Sequence, residues 1–211
     1  MTDTDLRHYV ESDGRIYLVA RDGVWDLPRP DEVPFAVEEI APLAPGSALF
    51  CVPQIAAHPH DWHHKDQLAS ADVSPRVREA VHATMPRVVV EGICRREGKV
   101  LLVKGNRGLT QGIWTLPGGF LRFGETPEAC ALREIQEEIG MEGRILELAA
   151  ARTKLGRHTL LHWTMLFFRV DVDGEPRPNP DEIAEARFVD VQEAIELLLD
   201  DTIAQVIRDL L

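Results

Sequence analysis

The larger, C-terminal part of the sequence predicts a mixed α/β fold, and three observations support this prediction. Two apolar runs flank the pair Glu97 and Gly98, which is typical of a β-hairpin. A helix with a marked start and a marked end follows the hairpin. Two further apolar strands, a last short strand and a C-terminal helix come after it. Strands on both sides of a central helix, with another helix at the end, are typical of a layered α/β domain.

The elements of this part follow from their own residues. Strands are predicted where apolar and β-branched residues cluster between turn signals, and the second of the two later runs is the most apolar in the chain. In chain order the sequence predicts strands at 87–95 and 99–105, a loop at 106–112, strands at 143–155, 159–174 and 185–191, and a helix over 191–211.

The central helix is predicted to run from Pro127 to Ile139. Thr126 is a favourable N-cap, Pro127 suits the first helical position and Gly140 is a typical helix stop. At about 100° per residue, the apolar side chains form one stripe and the acidic ones lie on roughly the opposite face. The expected stripe consists of Ala129, Leu132, Ile135 and Ile139.

The residues before Arg87 predict a small additional domain. The expected elements are a hairpin that turns at Asp22 and Gly23, a short helix at 34–43, a strand at 48–55 and a helix over 74–84 that Ser74 caps. We therefore expect a small α+β accessory domain over residues 1–72, a helical connector over 73–86 and the main domain over 87–211.

Three glutamates on the central helix predict a metal site. Glu134, Glu137 and Glu138 stand at positions i, i+3 and i+4, where like charges repel one another unless a cation lies between them. Oxygen ligands with few imidazoles or thiolates nearby favour Mg²⁺, or Mn²⁺, over zinc. Such a cluster is most often a solvated acidic face of a helix. The surrounding residues must therefore distinguish a metal site from a solvated face.

The residues around the cluster favour the metal site over the solvated face. Arg133 is spaced to pair with Glu137 across one turn, or to reach back to Glu125 in the preceding loop. The pair Gly118 and Gly119 lets the backbone turn tightly and present a carbonyl oxygen to a metal.

From Gly119 to Met141 the sequence resembles the signature of the Nudix hydrolases at every specified position. After Gly119 and Glu125 the matching run reads REIQEEIGM, from Arg133 to Met141. The resemblance implies a Nudix-type α/β/α sandwich with a mixed sheet over residues 87–211, in which Gly118 offers its carbonyl to the metal. It further implies catalytic roles for Glu125, Arg133, Glu134, Glu137 and Glu138.

The expected chemistry is Mg²⁺-dependent hydrolysis of a diphosphate bond. A divalent metal would neutralise the clustered phosphate charge and orient a water for in-line attack at phosphorus. A carboxylate must accept the proton of that water. Glu138 is one candidate, and in the family the base often comes from outside the signature. Acidic residues before the last strand are alternative bases or mere surface acids, namely Asp181, Glu182 and Glu185.

Other residues could contact the substrate. Lys104 and Arg107, near the loop before the signature, are candidate phosphate contacts. Trp114 could stack on a base, although a lone tryptophan beside a strand more often packs in the core.

The substrate class is implied only by the resemblance. It is a nucleoside diphosphate linked to another group, with ADP-ribose, a nucleotide sugar or a dinucleotide favoured and a nucleoside triphosphate as the alternative. Nudix members that cleave NADH carry a four-cysteine zinc ribbon, which the three cysteines here cannot form. A nucleotide-sensing regulator is a weaker alternative, because the signature glutamates are intact. An isomerase would need a catalytic thiol, whereas Cys94 and Cys130 are expected to be buried and inert.

Composition limits partners and compartment. A net charge of −12 argues against polymeric nucleic acid as a partner and leaves small nucleotides open. The N-terminal residues do not resemble a signal peptide, and no apolar run is long enough for a membrane span. Three widely spaced cysteines predict no disulfide framework, which suits the cytoplasm. A homodimer is expected because accessory N-terminal domains often mediate dimerisation in this family.

A second cluster of potential ligands lies in the accessory region. The segment from Cys51 onwards could bind zinc or nickel if the loop curled, but it lacks the paired spacing of structural zinc sites. A polar loop with exposed imidazoles is the default interpretation. The histidines concerned are His58, His60, His63 and His64.

Overall fold

The computed structural model describes residues 6–43, 48–57, 59–68, 71–155 and 162–211. The chain divides into two compact units. The first comprises Met1–Pro86 and Leu155–His162, and the second comprises Arg87–Lys154 and Trp163–Leu211. Separate apolar clusters form the core of each unit.

The first unit is built on a five-stranded sheet and one α-helix. The sheet has the order β5-β6-β1-β2-β7, with β1 and β6 parallel, and β3 and β4 form a separate hairpin. The elements are β1 (Arg7–Ser12), β2 (Arg15–Ile16), β3 (Val19–Arg21), β4 (Val24–Asp26), β5 (Val37–Leu43), β6 (Ala48–Pro53), β7 (His63–His64) and α1 (Pro75–Thr84).

Most local predictions for this unit are confirmed, and one is wrong. The β3–β4 hairpin turns at Asp22 and Gly23, both with positive φ, and Ser74 caps α1 by accepting a hydrogen bond from the Val77 N–H. The helix predicted at 34–43 is instead strand β5, which pairs antiparallel with β6. Pairing with β6 decides the conformation of this segment, and Pro42 near its end also disfavours a helix, because proline removes a backbone hydrogen bond and clashes with the preceding turn.

The second unit contains a mixed sheet with helices. Its central path has the order β10-β9-β8-β13-β12, while β11 pairs with β8 and β14 with β9. Strand β13 runs parallel to β8, whereas β9 and β11 run antiparallel to it. The elements are β8 (Arg87–Arg96), β9 (Lys99–Gly105), β10 (Trp114–Thr115), β11 (Gly118–Phe120), α2 (Pro127–Ile139), β12 (Glu142–Leu155), β13 (His162–Asp173), β14 (Ile183–Asp190), α3 (Val191–Leu197) and α4 (Asp201–Leu210).

The sheet separates two apolar layers. Successive side chains of β13 point to opposite faces, so Phe167 packs in one core and Phe168 in the other. The first core contains Ile203 and Ile207 of α4, and the second contains Ile135 of α2. A helix on each face of a mixed sheet is the predicted α/β/α sandwich.

Two sequence predictions for this unit need correction. The C-terminal helix is interrupted, because Asp200 caps α4 by accepting hydrogen bonds from the Thr202 and Ile203 N–H groups. On α2, Ala129 is exposed instead of buried, and Leu132 is only half-buried. The buried side is rotated towards β11, and it consists of Cys130, Ala131, Ile135, Glu138 and Ile139.

None of the described helices is both long enough and apolar enough to cross a membrane.

Candidate active site

Helix α2 holds the acidic cluster, and its two ends are fixed by the residues predicted to do so. The Thr126 side chain accepts a hydrogen bond of 3.3 Å from the Ala129 N–H, with Pro127 at the first helical position. Gly140 adopts the left-handed conformation, with φ of 61°, and ends the helix. Glu138 and Glu134 lie against strand β11, whereas Glu137 is exposed.

Glu138 is the most deeply buried of the three glutamates, with 9% of the residue exposed. Its Oε2 accepts a hydrogen bond of 3.0 Å from the Gly118 N–H of β11. Burial raises the pKa of the Glu138 carboxyl to about 8, the Gly118 N–H opposes this, and the charges of Glu134, Glu182 and Glu137 add to it. A cation close to this buried carboxyl would stabilise its charged form.

Gly119 leaves room for the Glu134 carboxylate. A Cβ on Gly119 would lie 2.5 Å from Glu134 Oε1, so a side chain there would displace this group. Burial raises the pKa of the Glu134 carboxyl, while the neighbouring Arg133 opposes the rise. A Cβ on Gly118 would meet the backbone carbonyl oxygen of Val90. Both positions of the glycine pair are therefore restricted by close contacts.

Arg133 makes both of the ion pairs that its spacing predicts. Its Nε lies 2.7 Å from Glu125 Oε1, and its Nη1 lies 2.6 Å from Glu134 Oε1 and 3.0 Å from Glu137 Oε2. The Arg133 guanidinium and the Arg122 N–H hold the pKa of Glu125 down at about 2. These carboxylates in turn raise the pKa of Arg133. The guanidinium thus ties the loop before α2 to two of the three helix glutamates.

Glu137 is the exposed member of the cluster, and a second arginine binds it. Arg122 Nη2 lies 3.1 Å from Glu137 Oε2, in addition to the Arg133 contact. The sequence analysis did not anticipate Arg122, because a lone arginine in a loop gives no indication of its partner.

The donor set fits a hard divalent cation in its chemistry. Within the described ranges, no three His, Cys, Asp or Glu side chains converge on a single point, and guanidinium groups bind Glu134 and Glu137. All the available donors are nevertheless oxygens, as Mg²⁺ and Mn²⁺ prefer. Glu138 and Glu134 both lie against strand β11, at Gly118 and at Gly119 respectively.

Glu91 is a further acid at this site that the sequence analysis missed. It lies in β8 directly opposite Gly118, only 5% of it is exposed, and its Oε2 is buried without a hydrogen-bond partner. Burial, followed by the charge of Glu138, raises the pKa of Glu91 well above its usual value. A single acid inside the apolar run VVVEGIC was the available signal.

The three acids considered as bases lie in different environments. Glu182 is half-buried, forms an ion pair with Arg107, and contributes to the raised pKa of Glu138. Asp181 is exposed in the turn before β14. Glu185 lies within β14 itself, opposite Lys104, and its Oε1 is 3.3 Å from Arg187 Nε, so the prediction that it belongs to the loop was wrong.

Of the candidate substrate contacts, Lys104 lies beside Trp114 and Arg107 lies at Glu182. The half-buried Trp114 ring packs against the core that contains α3 and α4, which supports its predicted structural role. Lys104 Nζ lies 5.9 Å and the Arg187 guanidinium 5.1 Å from the ring centroid. Arg107 is exposed and bound to Glu182.

Among the described members of the histidine segment, no three potential metal ligands come together. His63 and His64 lie in strand β7, with the His63 ring 4.3 Å from that of Trp25, and burial lowers the pKa of His63. Arg15 donates to the His60 carbonyl. His58 lies outside the described residues.

All three cysteines are free and buried, as predicted for Cys94 and Cys130. Burial raises the pKa of each of these two thiols to about 12, so neither is a reactive thiolate at neutral pH.

Comparison with known proteins places the chain in a family. The family model of the NUDIX domain matches residues 83–210. The chain is 34% identical over 115 residues to the ADP-ribose pyrophosphatase of Methanocaldococcus jannaschii, covering 54% of this chain and 68% of that protein. It is 32% identical over 126 residues to the NAD-capped RNA hydrolase NudC of Pseudomonas aeruginosa, covering 59% of this chain. The chain spans only 43% of the length of that NudC.

Solved structures agree with the fold. A NUDIX hydrolase from Nitrosomonas europaea superimposes with a TM-score of 0.53 at 27% identity, covering 82% of this chain and 84% of that one. A MutT NUDIX hydrolase from Burkholderia pseudomallei gives the same TM-score at 26% identity, covering 60% of this chain and 99% of that one.

Proposed function

The chain belongs to the Nudix family, and we propose that it hydrolyses a diphosphate bond in a compound that joins a nucleoside diphosphate to another group. The observation that carries the proposal is the position of the Glu138 carboxyl. It is buried on α2, bound to the Gly118 N–H, and close enough to Glu134 and Glu137 for their charges to raise its pKa. Repelling carboxyls beside strand β11 suit a divalent cation.

Glu134, Glu137, Glu138 and the Gly118 carbonyl would hold Mg²⁺, with Mn²⁺ as the alternative metal. When bound, the metal supplies charge neutralisation at the diphosphate and lowers the pKa of a bound water. The Gly118 N–H fixes Glu138, and Arg133 orients Glu134 and Glu137 from the Glu125 side. Each carboxylate is thereby positioned before the substrate arrives, which reduces the reorganisation that binding requires.

Proton transfer needs a carboxylate beside the attacking water. We assign this role to Glu182, which is half-buried before β14 and acts electrostatically on Glu138. Its present partner, Arg107, would then be released to contact phosphate oxygens together with Lys104. Asp181 is the exposed alternative, and Glu138 remains a candidate if it does not ligate metal.

The proposed substrate class is ADP-ribose or a related nucleotide sugar or dinucleotide. The relative from M. jannaschii bears the name ADP-ribose pyrophosphatase. The relatives named NAD-capped RNA hydrolase share a nucleoside diphosphate linkage in their named substrate. A net charge of −12 disfavours a long RNA backbone in addition to the cap, so a small nucleotide is the preferred substrate.

The test is turnover of a nucleotide panel with Mg²⁺ and with Mn²⁺, with products separated by chromatography. The panel contains ADP-ribose, NADH, nucleotide sugars, dinucleoside polyphosphates, nucleoside triphosphates and NAD-capped RNA. Glu138→Gln is the inactive control, and Glu128→Gln, an exposed glutamate on the same helix, is the matched active control. Cleavage of the diphosphate-linked compounds alone supports the proposal. Selective cleavage of triphosphates would replace it with the pyrophosphohydrolase alternative.

We also propose that residues 87–211 form the catalytic domain and that residues 1–72, with 73–86 as connector, act as an accessory domain in a cytoplasmic homodimer. Free buried cysteines suit a reducing compartment. Light scattering of the full chain and of a truncation starting at Met85 tests the assembly. A truncated chain with the same oligomeric state and the same substrate selectivity as the full chain would contradict this role.

A further inference from the structure

Glu91 is a buried acid without an evident structural reason. It interrupts the apolar strand β8, where Val90 and Ile93 are fully buried core residues. Its Oε2 is shielded from solvent and has no hydrogen-bond partner. Leaving a buried polar group unpaired costs about 1–3 kcal/mol, and more when the group is charged. A buried polar group that destabilises the fold in this way generally has a binding partner in the functional form of the protein.

The position of Glu91 identifies where that partner would be. Glu91 pairs across the sheet with Gly118, and its Oε2 lies 2.7 Å from the place where a Cβ on Gly118 would be. The Gly118 N–H in turn binds Glu138. Glu91 and Glu138 therefore approach the same glycine, one from the strand and the other from the helix.

No described cation neutralises Glu91. Lys154 is the one basic group among the main electrostatic influences on its pKa, and the Lys154 ammonium already binds Asp200. The protein thus places a further buried carboxyl beside the glycine whose N–H binds Glu138.

We propose that Glu91 is an additional carboxylate ligand of the divalent-metal centre and binds the cation from the strand side of Gly118. The inference rests on the proposed function, since it requires that Glu134 and Glu138 bind metal. It extends the ligand set beyond the helix signature, to a residue in a strand. A cation between Glu91 and Glu138 removes their repulsion and satisfies the unpaired Oε2 at the same time.

The test measures Mn²⁺ affinity directly, from the electron paramagnetic resonance signal of free Mn²⁺, without substrate. Glu91→Gln keeps the shape of the side chain and removes its charge. Glu128→Gln is the matched control, because it removes one exposed carboxylate from α2. We expect Glu91→Gln to weaken Mn²⁺ binding about tenfold or more, and Glu128→Gln to bind as the wild type does. The melting temperature of Glu91→Gln in EDTA is expected to equal or exceed that of the wild type.

The outcomes separate this inference from the proposed function. If Glu134→Gln weakens Mn²⁺ binding while Glu91→Gln binds within twofold of the wild type, the Glu91 assignment is overturned and the metal site stands. If the wild type binds no Mn²⁺, both are overturned. Should Glu91→Gln fail to fold, Glu91→Met provides an unbranched uncharged replacement, and unchanged Mn²⁺ affinity in that variant likewise overturns the assignment.

Discussion

The Gly118 N–H donates a hydrogen bond of 3.0 Å to the Glu138 carboxylate and so joins strand β11 to helix α2. This bond fixes the most buried of the three clustered α2 glutamates against the strand residue whose carbonyl is proposed to bind metal. The hydrogen bond stabilises the charged form of Glu138, whereas burial and the neighbouring glutamates oppose it.

Glu134→Gln and Glu138→Gln are each expected to lower kcat/KM at least 100-fold with Mg²⁺, because each removes a charged ligand. The metal-free fold should persist or gain stability, since the substitution relieves repulsion among buried carboxyls. Turnover with Mg²⁺ tests the predicted loss of activity, and the melting temperature in EDTA tests the predicted stability of the metal-free fold. Glu128→Gln is the control in both measurements. Turnover near the wild-type rate in either variant would exclude the assigned metal site.

Gly119→Ala and Gly118→Ala are expected to affect different properties. The new Cβ at position 119 meets the Glu134 carboxylate, the far end of a flexible side chain, so metal binding and turnover should fall about tenfold with little loss of stability. The new Cβ at position 118 meets the Val90 carbonyl oxygen, which is backbone and cannot rotate away. Gly118→Ala is therefore expected to lower the free energy of unfolding by about 1–3 kcal/mol.

Urea denaturation of both variants, combined with turnover at saturating Mg²⁺, distinguishes the two effects. Equal loss of stability in the two variants would contradict the different contacts assigned to the glycines.

The ion pair between Glu125 and Arg133 predicts a specific dependence of stability on pH. Arg133 lowers the pKa of Glu125 from 4.5 to about 2 in the folded protein. Between these values the unfolded chain binds more protons than the folded one, so stability falls as the pH falls. The stabilisation from Glu125 is fully present above about pH 4.5 and is lost as the pH approaches 2.

Glu125→Gln should therefore be less stable than the wild type at pH 7, and the difference should shrink between pH 4.5 and pH 2. Urea midpoints at pH 7, 5, 4 and 3 measure this, with Glu128→Gln as the control for loss of one charge. A difference that is independent of pH would show that the ionised Glu125 does not stabilise the fold.

The sequence predicted those features whose signals lie close together in the chain. Thr126 and Gly140 bound α2 as expected, because caps depend on neighbouring residues. Arg133 pairs with Glu137 one turn away and with Glu125 in the adjoining loop. The helix predicted at 34–43 failed because pairing with β6 decided its conformation, and that partner strand lies elsewhere in the chain.

The missed site residues depend on tertiary contacts. Glu91 gains its significance from the sheet register that sets it opposite Gly118, which no local pattern encodes. Arg122 reaches Glu137 only because the loop before α2 folds back over the helix. A charged residue inside an otherwise apolar strand is the local pattern that indicates such a buried site residue.

Arg122 competes with a metal ion for Glu137, which leads to a final prediction. Its Nη2 lies 3.1 Å from Glu137 Oε2, and both side chains are exposed, so the pair contributes at most about 1 kcal/mol. Arg122→Gln should therefore strengthen Mn²⁺ binding by no more than about fivefold, because the metal no longer displaces this guanidinium. Arg144→Gln, which removes another exposed arginine paired to a carboxylate, Asp171, is the matched control. Weaker Mn²⁺ binding in Arg122→Gln than in Arg144→Gln would mean that Arg122 orients Glu137 for the metal instead of shielding it.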